Sequence, residues 1–242
     1  MRSIQTGMSL IEVMLAQTLG LFLIFGLIQI YLSVQKTFDL QQAIINLQEN
    51  GRFASYLLSK NIRMAGFAGC ESLIKWGDEN LAIHGYDKDV PEFLREVIKK
   101  GTDSVEIAEC TIRDKATRFE RFAFFVGATD RKDPLGNLLY GLYVKYRKNG
   151  NKRELVSGVE DMQIRYGVVN QKDDSYITDY VTAAQVADWK KVRAIEIALL
   201  LRSELPVLRQ PVPYEFLDKK LPASRFLHRQ WYVYIALREL VL

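Results

Sequence analysis

The chain has 242 residues, enough for one good-sized globular domain and an appendage. Hydrophobic residues make up 48% and charged residues 26%, an ordinary balance for a folded protein, and there is no repeat or low-complexity tract. The formal net charge of +4 is too weak to argue for a nucleic-acid partner, and the basic pairs Arg131 and Lys132, Lys190 and Lys191, and Lys219 and Lys220 are scattered as on a solvated face.

The first element is an apolar run from Met8 to Leu32 whose one charged side chain is Glu12. Roughly 20 apolar residues span a bilayer as a helix, and this run is slightly longer. Gly20 and Gly26 are tolerated in a membrane helix, and Arg2 with the α-amino group keeps the amino end in the cytoplasm and sends the rest across. A cleavable secretory signal fits poorly, because Ala16-Gln17-Thr18 is followed by more apolar sequence. A plain anchor explains the length but not Glu12. If the chain were cut after Gly7, Glu12 would lie about 6 Å along the helix from the new amino end and could reach the interface. Deep in an apolar assembly the same carboxylate would cost several kcal/mol unless paired. The free α-ammonium of Met8 on a neighbouring subunit is a suitable partner.

Gly7-Met8-Ser9-Leu10-Ile11-Glu12-Val13 resembles the class III signal of type IV pilins and pseudopilins. That signal is a short basic leader ending in glycine, an apolar residue, a small hydroxyl residue, two aliphatics, a glutamate and a long apolar run. The resemblance implies cutting between Gly7 and Met8 by prepilin peptidase on the cytoplasmic side, followed by N-methylation of Met8. Family members most often have phenylalanine where this chain has Met8.

After Leu32 the sequence turns polar without a breaker. Leu40, Ile44, Leu47, Gly51, Ala54, Leu58, Ile62 and Ala65 recur at steps of three and four, a helical stripe. No proline occurs before Pro91, and Gly66 and Gly69 supply the stop. The spacing predicts one helix from about Ser9 to Ala65, about 85 Å long, with Gly51 as a place to bend. The expected organisation is a leader over 1–7, a membrane or filament-core helix over 8–32, an amphipathic periplasmic continuation over 33–66, and a globular domain over 67–242.

Cys70 and Cys110 match no zinc or CxxC spacing. In an oxidising compartment a disulfide between them is the natural reading; in the cytosol it would be two separate buried thiols. The stretch after Cys70, through IHGYD, reads as an irregular loop. Pro91 to Lys100 reads as a short helix with proline in its first turn and lysines in its last. SVEIAECT, FERFAFFVGA, LLYGLYVKYR, RELVSG, DMQIRYGVV, VRAIEIALLLRSE and WYVYIALREL carry the β-branched and aromatic bias of strands, with KNGN as a hairpin signal. Pro206, Pro211, Pro213 and Pro222 mark a long irregular loop before the last strand. The fold class is α+β, a long amino-terminal helix packed on an antiparallel sheet.

LQENGRFASYLLSKNIRMAGFAGC, IHGYD, GTDSVEI, GVEDMQIRYGV, ADWKKVRAIEIALLLRS and ALREL follow one another in the order shown by the PilW family of minor pilins, which this chain resembles over nearly its whole length. The relative to exclude is a type II secretion minor pseudopilin, which shares the amino end and a similar build.

Catalysis has no support in the sequence. Nucleotide, zinc-protease and serine-hydrolase motifs are missing, and His84 and His228 read as solvated or structurally bonded. Asp173, Asp174 and Asp179 lack the glycine and glutamate of a calcium loop. Tyr140, Tyr143, Tyr146, Trp231, Tyr232 and Tyr234 read as core and sheet-face residues. The expectation is a structural subunit without metal or cofactor, held in a bacterial inner membrane with its domain in the periplasm. The resemblance implies a role in starting or capping a type IV pilus. It also implies partners: other minor pilins, the major pilin, prepilin peptidase and the assembly platform. The alternatives are a type II secretion pseudopilin and a membrane-anchored periplasmic binding module.

Overall fold

The structure is a computed structural model that describes residues 9–65, 82–87, 90–113, 116–147, 150–169 and 176–237, with the backbone alone at 110–113 and 116–119. Helix α1 runs over Leu10–Arg63, 54 residues without a break. Its end tightens, with Met64 and Ala65 donating to the carbonyls of Asn61 and Ile62 three residues back. The glycines expected to stop it, Gly66 and Gly69, lie outside the described residues. The chain divides into two compact units, Met1–Gln42 and Ala43–Leu242.

In the second unit α1 buries Ala43, Leu47, Gly51, Ala54, Leu58 and Ile62. The expected stripe therefore holds from Leu47 onward, but Ala43 takes the buried position assigned to Ile44, which is half-buried. At Gly51 the helix is unbroken, and the glycine has another use. It lets Trp231 approach: a Cβ there would stand 2.6 Å from two atoms of the Trp231 ring and 3.0 Å from Leu201. One turn on, the Ser55 hydroxyl accepts from Trp231 Nε1 at 2.6 Å. Gly51→Leu should lower the stability of this unit by about 1–3 kcal/mol through overpacking, read as a lower melting temperature of the full chain in detergent.

Eleven strands follow among the described residues, all paired antiparallel. β1 (Ile83–Tyr86), β2 (Ser104–Arg113), β3 (Ala116–Lys132), β4 (Leu138–Tyr146) and β5 (Arg153–Ser157) form a five-stranded sheet in chain order. β6 (Val159–Val169), β7 (Ile177–Val181), β8 (Val192–Arg202) and β11 (His228–Ala236) form a second sheet in the order β11-β8-β6-β7. β9 (Val212–Phe216) and β10 (Lys219–Ser224) form a separate hairpin. Leu58 and Ile62 of α1, Ile107, Phe122 and Phe124 of the first sheet, and Ile164, Ile197 and Leu199 of the second share one core. The predicted class, a long helix on antiparallel β structure, is the observed one, with two sheets in place of one.

Three local expectations need correction. Helix α2 is only Glu92–Arg95, not Pro91 to Lys100. β2 pairing begins at Ser104 opposite Phe125, and the edge of β3 just beyond is taken by Ile98, bridged to Gly127, and by Lys99, whose N–H donates to Val126. IHGY, read as loop, is β1, paired from Ile83 opposite Ile107. The proline-rich loop contains β9 and β10, with Pro213 and Pro222 inside them. Leu217 and Asp218, with φ of 44° and 43°, make the tight turn between them. A two-stranded ribbon has open outer edges that accept proline, and its register slips between Leu221 and Ser224, around Pro222.

Candidate assembly interface

The described part of the first unit is helix alone. Its most apolar 18-residue window has a mean hydropathy of 2.1 and no buried residue, so it is long and apolar enough to cross a membrane. Leu10, Ile11, Phe22 and Phe25 are each more than 60% exposed, with Phe22 at 80%. Thr18 and Thr37 turn their hydroxyls back onto the carbonyls of Leu15 and Ser33, at 2.8 and 3.0 Å. Hydroxyls satisfied within the helix cost less against lipid or another apolar helix. Glu12 is exposed in the first turn of α1. An acid there faces the positive end of the helix dipole, which makes the position favourable even before any partner arrives. Of the other expected sites, Gly7, Met8 and Cys70 lie outside the described residues. Cys110 is in β2, opposite Phe119 in register, and its side chain is outside the description.

The second unit holds an ionic network that sequence reasoning missed. Arg202 of β8, its side chain 10% exposed, lies 3.4 Å from Asp133 and 3.1 Å from Glu160. Its guanidinium also covers the Phe226 ring at 4.2 Å. His228 Nε2 is 3.5 Å from the other oxygen of Glu160, and its ring stacks on Tyr214 of β9 at 3.7 Å and 5°. Burial pushes the Glu160 carboxyl up, but the bond from His228 and the charges of Arg202 and Lys99 outweigh it and hold the group below its usual range. Asp133 accepts from the N–H groups of Leu135 and Asn137, both at 2.9 Å. Burial again opposes ionisation, and these bonds with Arg202 again prevail. The network joins the turn after β3 to β6, β8, β9 and β11. It is structural in build, with every charge facing a countercharge.

His84 belongs to β1, not to a loop. It packs between Tyr86 and Trp189, each at 4.6 Å between ring centres, and burial lowers its pKa. His228 opens β11 and is bonded as described. Asp173 and Asp174 lie outside the described residues, while Asp179 is exposed on β7 and bonds the N–H of Tyr180. Tyr143 is buried and stacks on Phe125 at 5.9 Å. Tyr232 and Tyr234 lie on the exposed sheet face, tied to Gln230 and Glu196. Among the described residues no group of His, Cys, Asp and Glu could hold a metal ion.

These features define a structural α+β protein, in which one helix offers an exposed apolar half and lends its other half to the core of a two-sheet domain. Residues 123–238, from within β3 to just past β11, match the family described as PilW, Type IV Pilus-assembly protein W. The matched stretch contains GVEDMQIRYGV and ADWKKVRAIEIALLLRS; the amino-end motif and the helix close lie before it. Among solved structures the chain is similar to a type IV-like pilin from Thermus thermophilus, at 10% identity and a TM-score of 0.43, over 81% of this chain and 99% of that one. That likeness is too distant to add to the fold described above. No curated protein matches the chain in sequence.

Proposed function

We propose that this chain is a minor pilin, a structural subunit of the complex that starts or caps a type IV pilus. The observation that carries the reading is one carboxylate, Glu12, in the first turn of the exposed apolar half of α1, in a chain whose residues 123–238 match the PilW family. In this reading the helix holds the chain in the bacterial inner membrane, with 67–242 in the periplasm. Prepilin peptidase removes 1–7 by cutting between Gly7 and Met8, and Met8 is then N-methylated. Other minor pilins and the major pilin pack against the apolar half of α1, and the inner-membrane platform receives the assembled complex. Glu12 pairs with the α-ammonium of a neighbour and sets the register of the helices. The amino-end motif is common to type II secretion pseudopilins; the PilW match favours the pilus.

A Cys70–Cys110 disulfide belongs to the same reading, since the periplasm is oxidising. Closing about 40 residues, it would stabilise the domain by about 3–4 kcal/mol.

Intact-mass analysis of the membrane-extracted chain tests the proposal. The expected mass is that of a chain beginning at a methylated Met8 with both thiols oxidised. A mature form that keeps Arg2, or one cut near Ala16 to Thr18, would overturn the pilin reading. Two free thiols in the exported protein would remove the disulfide alone.

A further inference from the structure

The strands of the second sheet alternate in direction through the order β11-β8-β6-β7. Its two outermost strands, β11 and β7, therefore run in opposite senses. β11 is a long edge. Its nine residues pair with β8 without a slip, so no bulge turns it away, and it contains no proline. Bulges and prolines are devices that guard a free edge against pairing. On β7 the register slips beside Ile177, but Asp179, Tyr180 and Val181 stay regular. Among the described residues no strand and no backbone hydrogen bond occupies the outer edge of either strand. A row of main-chain donors and acceptors is matched by another extended chain.

The side chains of the two edges are complementary. Arg229 stands opposite Leu201, so it is on the core side of β11. It is exposed over the Trp231 ring at 5.7 Å, and no carboxylate among the described residues pairs with it. Asp179 of β7 stands opposite Val168, which packs on the same core. It is exposed as well. Its Oδ1 accepts from the Tyr180 N–H at 2.8 Å, and its other oxygen has no partner among the described residues. Tyr180 is level with Gly167, Ala194 and Ala236, and so shares the outer face with Tyr232 and Tyr234. One edge thus offers a cation on the core side and the other an anion on that side, with tyrosines outside both.

The direction of α1 selects the arrangement of two copies. α1 lies against this sheet where Gly51 meets Trp231 and Leu201. Antiparallel pairing of β11 with the β11 of a second copy needs a two-fold axis perpendicular to the sheet, which would reverse α1. Two helices anchored in one membrane from the same side cannot run in opposite directions. A copy moved sideways without being turned keeps α1 parallel and brings its β7 antiparallel to β11. We propose that copies of this chain associate head to tail, the open edge of β11 pairing with β7 of the next copy and Arg229 facing its Asp179. The contact is heterologous, so each added copy leaves a β11 and a β7 free at the ends of the row. The paired stretch is short, and confinement of both copies to one membrane raises their effective concentration. The inference rests on the reading of α1 as a membrane anchor.

Cross-linking in membranes tests it. Full-length chains carrying Arg229→Cys and Asp179→Cys, under different tags, are co-expressed and treated with a short bis-maleimide. The mixed dimer should form, while each variant expressed alone should give no more dimer than wild type, which reports the background from Cys70 and Cys110. Absence of the mixed dimer, with both chains at normal membrane levels, would overturn the proposal and leave the anchor reading intact. A chain missing from the membrane fraction would overturn both. Dimers of Arg229→Cys with itself, or cross-links only to a different protein, would also overturn the proposal. Charge exchange gives a second readout, the capture of one tagged copy by another from gently solubilised membranes. Arg229→Asp should lower capture by about fivefold, and Asp179→Arg added to the same chain should restore it. A loss that the second change does not restore would show that Arg229 has no such partner and would overturn the pairing.

Discussion

Arg202→Met should lower the stability of the second unit by roughly 3 kcal/mol or more at neutral pH. Methionine fills much of the volume but leaves Glu160 and Asp133 without their shared cation. The Asp133 side chain is fully buried and that of Glu160 is 14% exposed, so water cannot replace the guanidinium at either. Lys99 and His228 remain near Glu160 and recover part of the loss. The wild-type advantage should also depend on pH with a definite sign. Because Glu160 is held below its usual value, the stability it contributes is present above about pH 4.5 and is lost as pH falls through its folded value. The gap between wild type and variant should therefore narrow in acid. Adding Glu160→Gln to Arg202→Met should restore a measurable fraction, since one uncompensated charge is gone. Chemical unfolding of the full chain in detergent, at neutral and acidic pH, provides the measurement. A loss below about 1 kcal/mol would show the network to be no better than an exposed ion pair.

The parts of the fold that could be read in the sequence are those with long, regular patterns. Helix α1 announces itself because apolar residues recur at three and four through Ile62, with no proline to interrupt them. β3, β8 and β11 are long and rich in β-branched and aromatic residues. β1, with four residues, and β7, with five and mostly exposed, are too short and too polar to show a period. The β9–β10 hairpin hides behind its prolines, and its turn uses Leu217 and Asp218 where Asn-Gly would have signalled one. The division into two sheets is a pairing decision between distant strands, such as β8 with both β6 and β11, which no local pattern records.

The candidate site divides the same way. Glu12 stands out as one charge in an apolar run, a local anomaly visible at once. Asp133, Glu160, Arg202 and His228 are separated by tens of residues, and each alone looks like an ordinary polar residue of a strand or turn. Their meaning comes only from folding, which brings them within 3.5 Å of one another along a chain of pairs. Gly51 shows the reverse failure. Its presence in the helix was visible, but its purpose, room for Trp231, depends on a strand 180 residues further on.

Glu12→Lys should abolish incorporation of this chain into a pilin complex while leaving it in the membrane. Insertion depends on the apolar run, which the change leaves intact. Removal of the leader should continue, since the proposed cut lies before Met8. Assembly should fail because the α-ammonium of a neighbouring subunit would meet a second cation in an apolar environment. Breaking a buried pair costs about 3–5 kcal/mol, and a like charge adds to it, so association should weaken by more than about a hundredfold. Glu12→Gln should be milder, since it leaves an uncharged hydrogen-bond acceptor in place. The most direct measurement is co-purification of the Glu12→Lys chain with its partner pilins, beside a membrane-fraction control. The account predicts normal membrane levels and no recovered partners. Wild-type recovery of partners by Glu12→Lys would contradict it and would leave a membrane-anchored domain whose amino-terminal acid sets no register.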